Sequence, residues 1–299
     1  MMNGLMKKMN GNQVLISDQI CSKGRSHGIK SLLELTKVHL SLYIALSAVT
    51  GHVLAQHRLT PDSFLFGTWV LLLSAGSGVL NNIQDRIYDA SFTRTQNRAL
   101  VKKNISLIFA KRLAGSLMGI GLLGLFSFGP LPMVLGLTAV ALYNGVYTPM
   151  KKKWRFTAMI PGTICGMIPP AMGWVAVVKP IAVADLSGLF IVMAALGFWQ
   201  LPHYLLIYLK QGLADRQIQH QVLIWTCLFS LCILLFLIQG WIASPILGLV
   251  LFTAALTLPF AMGGCLFFQK PSHRYLDISF WAINLSMLLF LATIMLDRV

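Results

Sequence analysis

The stretch SAGSGVLNNIQDRIYDASFTRTQNRAL, Ser74 to Leu100, decides how the chain is read. It closes an apolar run that begins near Phe64, and the small residues from Ser74 to Gly78 permit the close helix approach found inside bilayers. It then turns polar. Asn81, Asp85 and Asp89 recur at every fourth position, so on a helix they drift only about 80° around the axis while climbing roughly 12 Å. Two carboxylates and an amide on one face at a membrane border suit a hard cation such as Mg²⁺, with phosphate oxygens and waters completing its shell. Arg86, Arg94 and Arg98 stand close enough in sequence to hold the same phosphates. The alternative is that the acids only neutralise an arginine-rich loop.

Working outward, the 299 residues are 56% hydrophobic and 11% charged, with a mean hydropathy of +0.72. That balance excludes soluble, disordered and collagen-like chains. Apolar runs long enough to cross a bilayer lie near Leu35 to Leu54, Phe64 to Asn82, Ile105 to Phe128, Pro132 to Thr148, Ala158 to Val178, Leu186 to Leu209, Val222 to Gln239, Ala243 to Phe268 and Leu276 to Leu296. The expectation is an all-α polytopic membrane protein of about nine spans, with a tail over 1–30 and a single membrane domain over 31–299.

The net charge of +15 is explained by topology rather than by nucleic acid. With the N-terminus inside, 21 of the 24 Lys and Arg fall on the inner side, and only Arg58, Lys179 and Arg298 fall outside. This orientation places the N-terminus in the cytoplasm and the C-terminus in the periplasm. The first 30 residues lack the apolar core of a signal peptide and the arginine-rich character of a mitochondrial presequence, so the expected location is a bacterial inner membrane. The five cysteines form no Cys-x-x-Cys pair and read as small buried side chains.

Two further segments carry polar groups at the inner border. In YNGVYTPMKKKWRFTAMIPGTICGMIPPAMGW, Tyr143 to Trp174, a triple lysine precedes a run punctuated by Gly162, Gly166, Pro169 and Pro170. Such breaks either kink the helix or free backbone groups that persist at membrane depth where they line a cavity. Lys151, Lys152 and Lys153 either capture phosphate or set orientation. In FWQLPHYLLIYLKQGLADRQIQH, Phe198 to His220, His203 sits in an apolar run and reads as a haem ligand, an acid or base, or a hydrogen-bonded core residue. Asp215 is the only carboxylate of the following loop, and so either a second cation site or a partner of Arg216.

With these residues in place, the chain resembles the UbiA superfamily of intramembrane prenyltransferases and, within it, the branch of protoheme IX farnesyltransferases, the haem O synthases. The Asn-x3-Asp-x3-Asp signature and the Arg-Thr-x-x-Arg that follows are matched by Asn81, Asp85, Asp89, Arg94, Thr95 and Arg98. The branch pattern around the basic cluster is matched by Tyr147, Thr148, Lys152, Lys153, Gly166, Pro169, Pro170, Gly173 and Trp174, and the Trp-Gln-x-Pro-His segment by Trp199, Gln200, Pro202 and His203. The chain departs from the pattern at Lys37-Val38-His39, where Lys-Pro-Arg is usual, and in LADRQIQHQV after His203, which displaces Asp215.

The resemblance implies a helical bundle around a lipid-accessible chamber whose active site faces the cytoplasm. It implies transfer of a farnesyl group from farnesyl diphosphate to a vinyl group of haem b with addition of water, giving haem O and diphosphate. Mg²⁺ would be held by Asn81, Asp85 and Asp89 through the diphosphate, with Arg94, Arg98, Lys152 and Lys153 offsetting leaving-group charge. Tyr147, Trp199, Gln200, His203, Asp215 and Arg86 would contact substrates. A haem A synthase or a terminal oxidase assembly would be the natural consumer of the product. The competing expectations are an aromatic quinone precursor or other lipid as acceptor, and a non-catalytic haem-binding scaffold or transporter.

Overall fold

A computed structural model of the chain describes residues 28–91, 95–154, 156–177, 186–212, 216–267 and 271–299. The expected tail, apart from its last three residues, lies outside the described residues, as do Arg94 and Asp215. Among the described residues nine helices are long and apolar enough to cross a membrane: α2 (Val38–Gln56), α3 (Pro61–Asp89), α4 (Leu107–Phe126), α5 (Pro130–Met150), α6 (Met159–Val177), α7 (Leu186–Lys210), α8 (Arg216–Ile238), α9 (Pro245–Phe267) and α10 (His273–Leu296). A short helix, α1 (Ile29–Leu35), precedes them. The chain is a multi-pass membrane protein.

Two of the boundaries that differ from the sequence expectation do so for identifiable reasons. The first span begins at Val38 rather than Leu35, because Lys37 adopts a left-handed conformation (φ 49°) that separates α1 from α2. Asn82 Nδ2 donates to Leu35 O at 2.8 Å, satisfying one of the carbonyls that the end of α1 leaves open. The second span runs to Asp89 rather than Asn82. Average hydropathy ends where polar residues begin, but here those residues face inward and are paired, so the helix continues. Its start is fixed by a reciprocal Thr60 and Ser63 cap, with Pro61 in the first turn.

Consecutive spans pack against one another, and α10 returns to α2 and α7, closing a ring. The small residues expected to admit a neighbour do so. A Cβ on Gly76 would lie 2.9 Å from Met118 N and 3.0 Å from Ala114 O of α4. Across the ring, α2 and α6 touch at the end remote from the acids. There a Cβ on Gly51 would meet the Pro170 backbone, and one on Gly173 would lie 2.6 Å from His52 N. Buried Phe66, Leu125 and Met172 pack around this contact.

Toward the acidic end the same helices separate, leaving a chamber of about 470 Å³ walled by α2, α3, α5, α6, α7 and α10. Leu40 of α2 and Trp281 of α10 line it while remaining 44% and 70% exposed, so the chamber reaches the outer, apolar surface between these helices. Pro169 and Pro170 do not interrupt α6, which stays helical throughout. They withhold the amides that would bond Cys165 O and Gly166 O, and both of those residues line the chamber.

Candidate active site at the acidic end of the chamber

α3 carries Asn81, Asp85 and Asp89 inward along one face, all three buried. Each meets a cation. Lys37 Nζ donates to Asn81 Oδ1 and sits 3.3 Å from the Tyr143 hydroxyl. Lys151 Nζ lies 2.5 Å from Asp85 Oδ2, and Lys152 Nζ 3.4 Å from Asp85 Oδ1. Arg98 pairs with Asp89 Oδ2 and reaches Asn82 Oδ1 at 3.4 Å. Thr95 Oγ1 donates to Asp89 O at 2.8 Å, tying the loop that carries Arg98 back to the helix end.

The positions opposite α3 are set by α5. Between Ala141 and Tyr147 this helix widens into a π-helical turn. The widened turn places Asn144 against α3, where it donates to Ser77 O at 3.1 Å and exchanges hydrogen bonds with Gln84. Thr148 Oγ1 accepts from Asn81 Nδ2 at 2.8 Å. Tyr143 and Tyr147 stack at 5.4 Å, with the Lys151 ammonium 5.4 Å from the Tyr147 ring centre.

Burial and the nearby cations Lys151 and Arg98 lower the pKa of Lys37 to about 7, against the opposing pull of Asp85 and Asp89. The site is thus crowded with positive charge, and an incoming dense anion would relieve that crowding. Its oxygens also suit a hard cation. Asp85 Oδ1 is buried without a hydrogen bond, and the ligand atoms on offer are carboxylate and amide oxygens. Among the described residues no three His, Cys, Asp or Glu side chains gather, so these acids would hold a cation jointly with an oxygen-rich ligand.

Of the remaining expected residues that the structure describes, two lie off the chamber and four line it. Lys153 is exposed, and Arg86 is half-buried without an ion pair among the described residues. Tyr147, Trp199, Gln200 and His203 all line the chamber. Trp199 donates its indole N–H to Ile283 O at 3.1 Å and stacks on Tyr43. His203 Nδ1 lies 2.9 Å from Asn284 Oδ1, and Asn284 Nδ2 donates to Phe280 O at 2.5 Å. That chain of bonds sets the direction at His203, because Asn284 Oδ1 must accept, so Nδ1 carries a hydrogen.

Sequence reasoning missed Lys37, Tyr143, Tyr204 and Asn284. Asn284 could have been flagged as an isolated amide in an apolar span. Lys151 was read with the other two lysines of the run, with nothing local to single it out as the one nearest Asp85.

The sequence pattern of the UbiA prenyltransferase family matches residues 44–274. A protein named protoheme IX farnesyltransferase from Oleidesulfovibrio alaskensis is 30% identical over 90% of this chain and 97% of its own. Among solved structures, a UbiA homolog from Aeropyrum pernix K1 superposes with a TM-score of 0.68 at 15% identity, over 88% of this chain and 99% of that one. A UbiA homolog from Archaeoglobus fulgidus, solved bound to DMAPP and Mg²⁺, gives 0.53 at 13% identity with the same coverage. The ring of nine spans and the match over most of the chain agree: this protein belongs to the UbiA prenyltransferase family.

Proposed function

We propose that the protein transfers a farnesyl group from farnesyl diphosphate to a vinyl carbon of haem b, with addition of water, releasing haem O and diphosphate. One observation carries the reading: two buried carboxylates, each paired with a cation, lie on the helix face that continues beyond Lys37 and Tyr143, which line one end of an apolar chamber whose wall presents a histidine with a committed Nδ1–H. The named relative from Oleidesulfovibrio alaskensis supports the acceptor, and the Mg²⁺-bound relative from Archaeoglobus fulgidus supports the cation.

Asn81, Asp85 and Asp89 would hold Mg²⁺ together with the diphosphate, where it supplies a hard Lewis acid against the growing leaving-group charge. Lys151, Lys152, Arg98 and Lys37 then exchange their carboxylate and amide partners for phosphate oxygens, joined by Arg94 and Lys153. These groups stabilise the diphosphate as the C1–O bond lengthens, which is electrostatic catalysis by prepositioned charge. The apolar chamber walls keep bulk water from the allylic cation. His203 contacts haem through Nε2, as axial ligand or as proton acceptor near the vinyl edge. Trp199 and Gln200 flank that contact.

The basic bias of the loops supports a cytoplasmic acidic end in a bacterial inner membrane, with residues 31–299 as one catalytic domain after the tail over 1–30. A haem A synthase or an oxidase assembly would consume the product. The test is a reconstituted assay with haem b, farnesyl diphosphate and Mg²⁺, extracting haems for mass analysis. A haem gaining farnesyl plus water supports the reading. Diphosphate release only with quinone-type acceptors would replace the acceptor, and haem binding without turnover on any acceptor would make the protein a scaffold.

A further inference from the structure

The proposed reaction needs water at one moment and must exclude it at another. A freely diffusing water would quench the allylic cation before the vinyl group could, yet the product carries a hydroxyl. The structure contains a place that separates the two. Beside the chamber, between α6 and α7, lies a recess of about 10 Å³, room for about one water.

Gly162 of α6 lines the recess, and Gly166, one turn on, lines the adjoining chamber. A Cβ on Gly162 would come within 3.1 Å of the Tyr147 ring, and one on Gly166 would lie 3.2 Å from the Gln200 carboxamide carbon. Thr163 completes the polar lining, and the hydroxyls of Tyr147 and Tyr204 hydrogen-bond to each other at its edge. Tyr147, Gly162, Gln200 and Tyr204 line both the recess and the chamber, so the recess adjoins the acceptor side. Two hydroxyl-bearing rings, a carboxamide and a threonine give a water the two to four polar partners it needs at membrane depth.

We infer that this recess holds and aims the water that hydrates the acceptor, with Tyr147, Tyr204, Gln200 and Thr163 as its positioning residues; the inference rests on the haem-farnesylation reading above. The farnesyl C1–O bond breaks with its electron pair going to the diphosphate oxygen. The vinyl π pair then forms the new bond to C1, leaving a cation on the other vinyl carbon in conjugation with the macrocycle. A lone pair of the held water closes the C–O bond. Its proton passes through the Tyr147 and Tyr204 hydroxyls to the departed diphosphate, the most basic group present. The Lys151 ammonium, 5.4 Å from the Tyr147 ring centre, puts the leaving-group pocket next to that route.

Without an aimed water the same cation loses a carbon-bound proton and gives an alkene, one water lighter than haem O. The experiment therefore reads a product ratio. The full-length protein in lipid, wild type beside Tyr204→Phe, Thr163→Val and Gln200→Leu, is given haem b, farnesyl diphosphate and Mg²⁺, and extracted haems are resolved by mass. Variants are expected to lower the hydrated-to-alkene ratio by about ten-fold, the effect of one lost hydrogen bond of roughly 1.4 kcal/mol. The ratio is taken on product formed, so a less stable variant changes its yield and not its partition. An unchanged ratio in all three overturns the inference while leaving haem farnesylation standing. A wild type that farnesylates no haem overturns both.

Discussion

Asp85→Asn separates the two jobs assigned to the acidic face. The change keeps the side chain's shape and removes one charge from a position that is 2% exposed. Among Arg98, Lys151, Lys152, Asp85 and Asp89, the positive excess rises from one to two. A unit pair at about 4 Å is worth about 4 kcal/mol at an effective dielectric near 20. The lysines that face Asp85 are 20% and 31% exposed, which reduces the loss to about 2 kcal/mol of stability. The unliganded variant should therefore unfold several degrees lower in a thermal scan.

Binding should go the other way. Without Mg²⁺, farnesyl diphosphate meets more positive charge in the variant, so its stabilisation of the protein in a thermal-shift titration should hold or grow. Turnover should fall. Losing about 3 kcal/mol of cation-borne transition-state stabilisation is about 10²-fold in diphosphate release with Mg²⁺ present. Turnover within ten-fold of wild type would refute the argument. So would equal losses of binding and turnover in Mg²⁺-free buffer, since Asp85 would then act without a cation.

Gly51→Ala puts a methyl group against the Pro170 backbone, with Cα at 2.7 Å and nothing flexible to yield; a loss of about 1–3 kcal/mol is expected, read as a lower midpoint in detergent unfolding, and an unchanged midpoint contradicts the packing described. Asn284→Ala takes the acceptor from His203 Nδ1 and frees its ring, so haem affinity by absorbance titration should weaken about 10–100-fold while farnesyl diphosphate binding is retained. Lys37→Met removes the ammonium beside Asn81 and Tyr143, and the KM for farnesyl diphosphate should rise about ten-fold; a KM equal to wild type places the diphosphate elsewhere.

Much of this architecture is legible in the sequence because a bilayer leaves few options. Backbone groups must be satisfied within each span, so helices appear as long apolar runs, and all nine could be counted. The acid triad was legible because helical spacing alone places Asn81, Asp85 and Asp89 together. The partners of those acids were not. Which lysine reaches Asp85 depends on the rotation of α5 against α3, and that rotation is set by the widened turn at Ala141 to Tyr147, which has no compositional mark. Likewise the last seven residues of α3 were lost to hydropathy, which averages over faces and reads an inward polar stripe as the end of a helix. The Lys37 break was hidden for the same kind of reason: its backbone turn is stabilised by Asn82 and Asn81, more than forty positions away.

The widened turn in α5 also governs how this chain tolerates insertion and deletion. A π-helical turn holds one residue more than an α-helical turn, so deleting one residue between Ala141 and Tyr147 closes it into plain α-helix with the flanks still aligned, whereas deleting one from the α-helical stretch before it leaves the flanks a residue out of phase. In the second case everything beyond the deletion would rotate by about 100° relative to everything before it. Thr148, Lys151 and Lys152 would leave the sector facing α3, although none of them had been altered. In this helix length acts as an angular setting, and the alignment of the basic cluster with the acids is stored in a residue count.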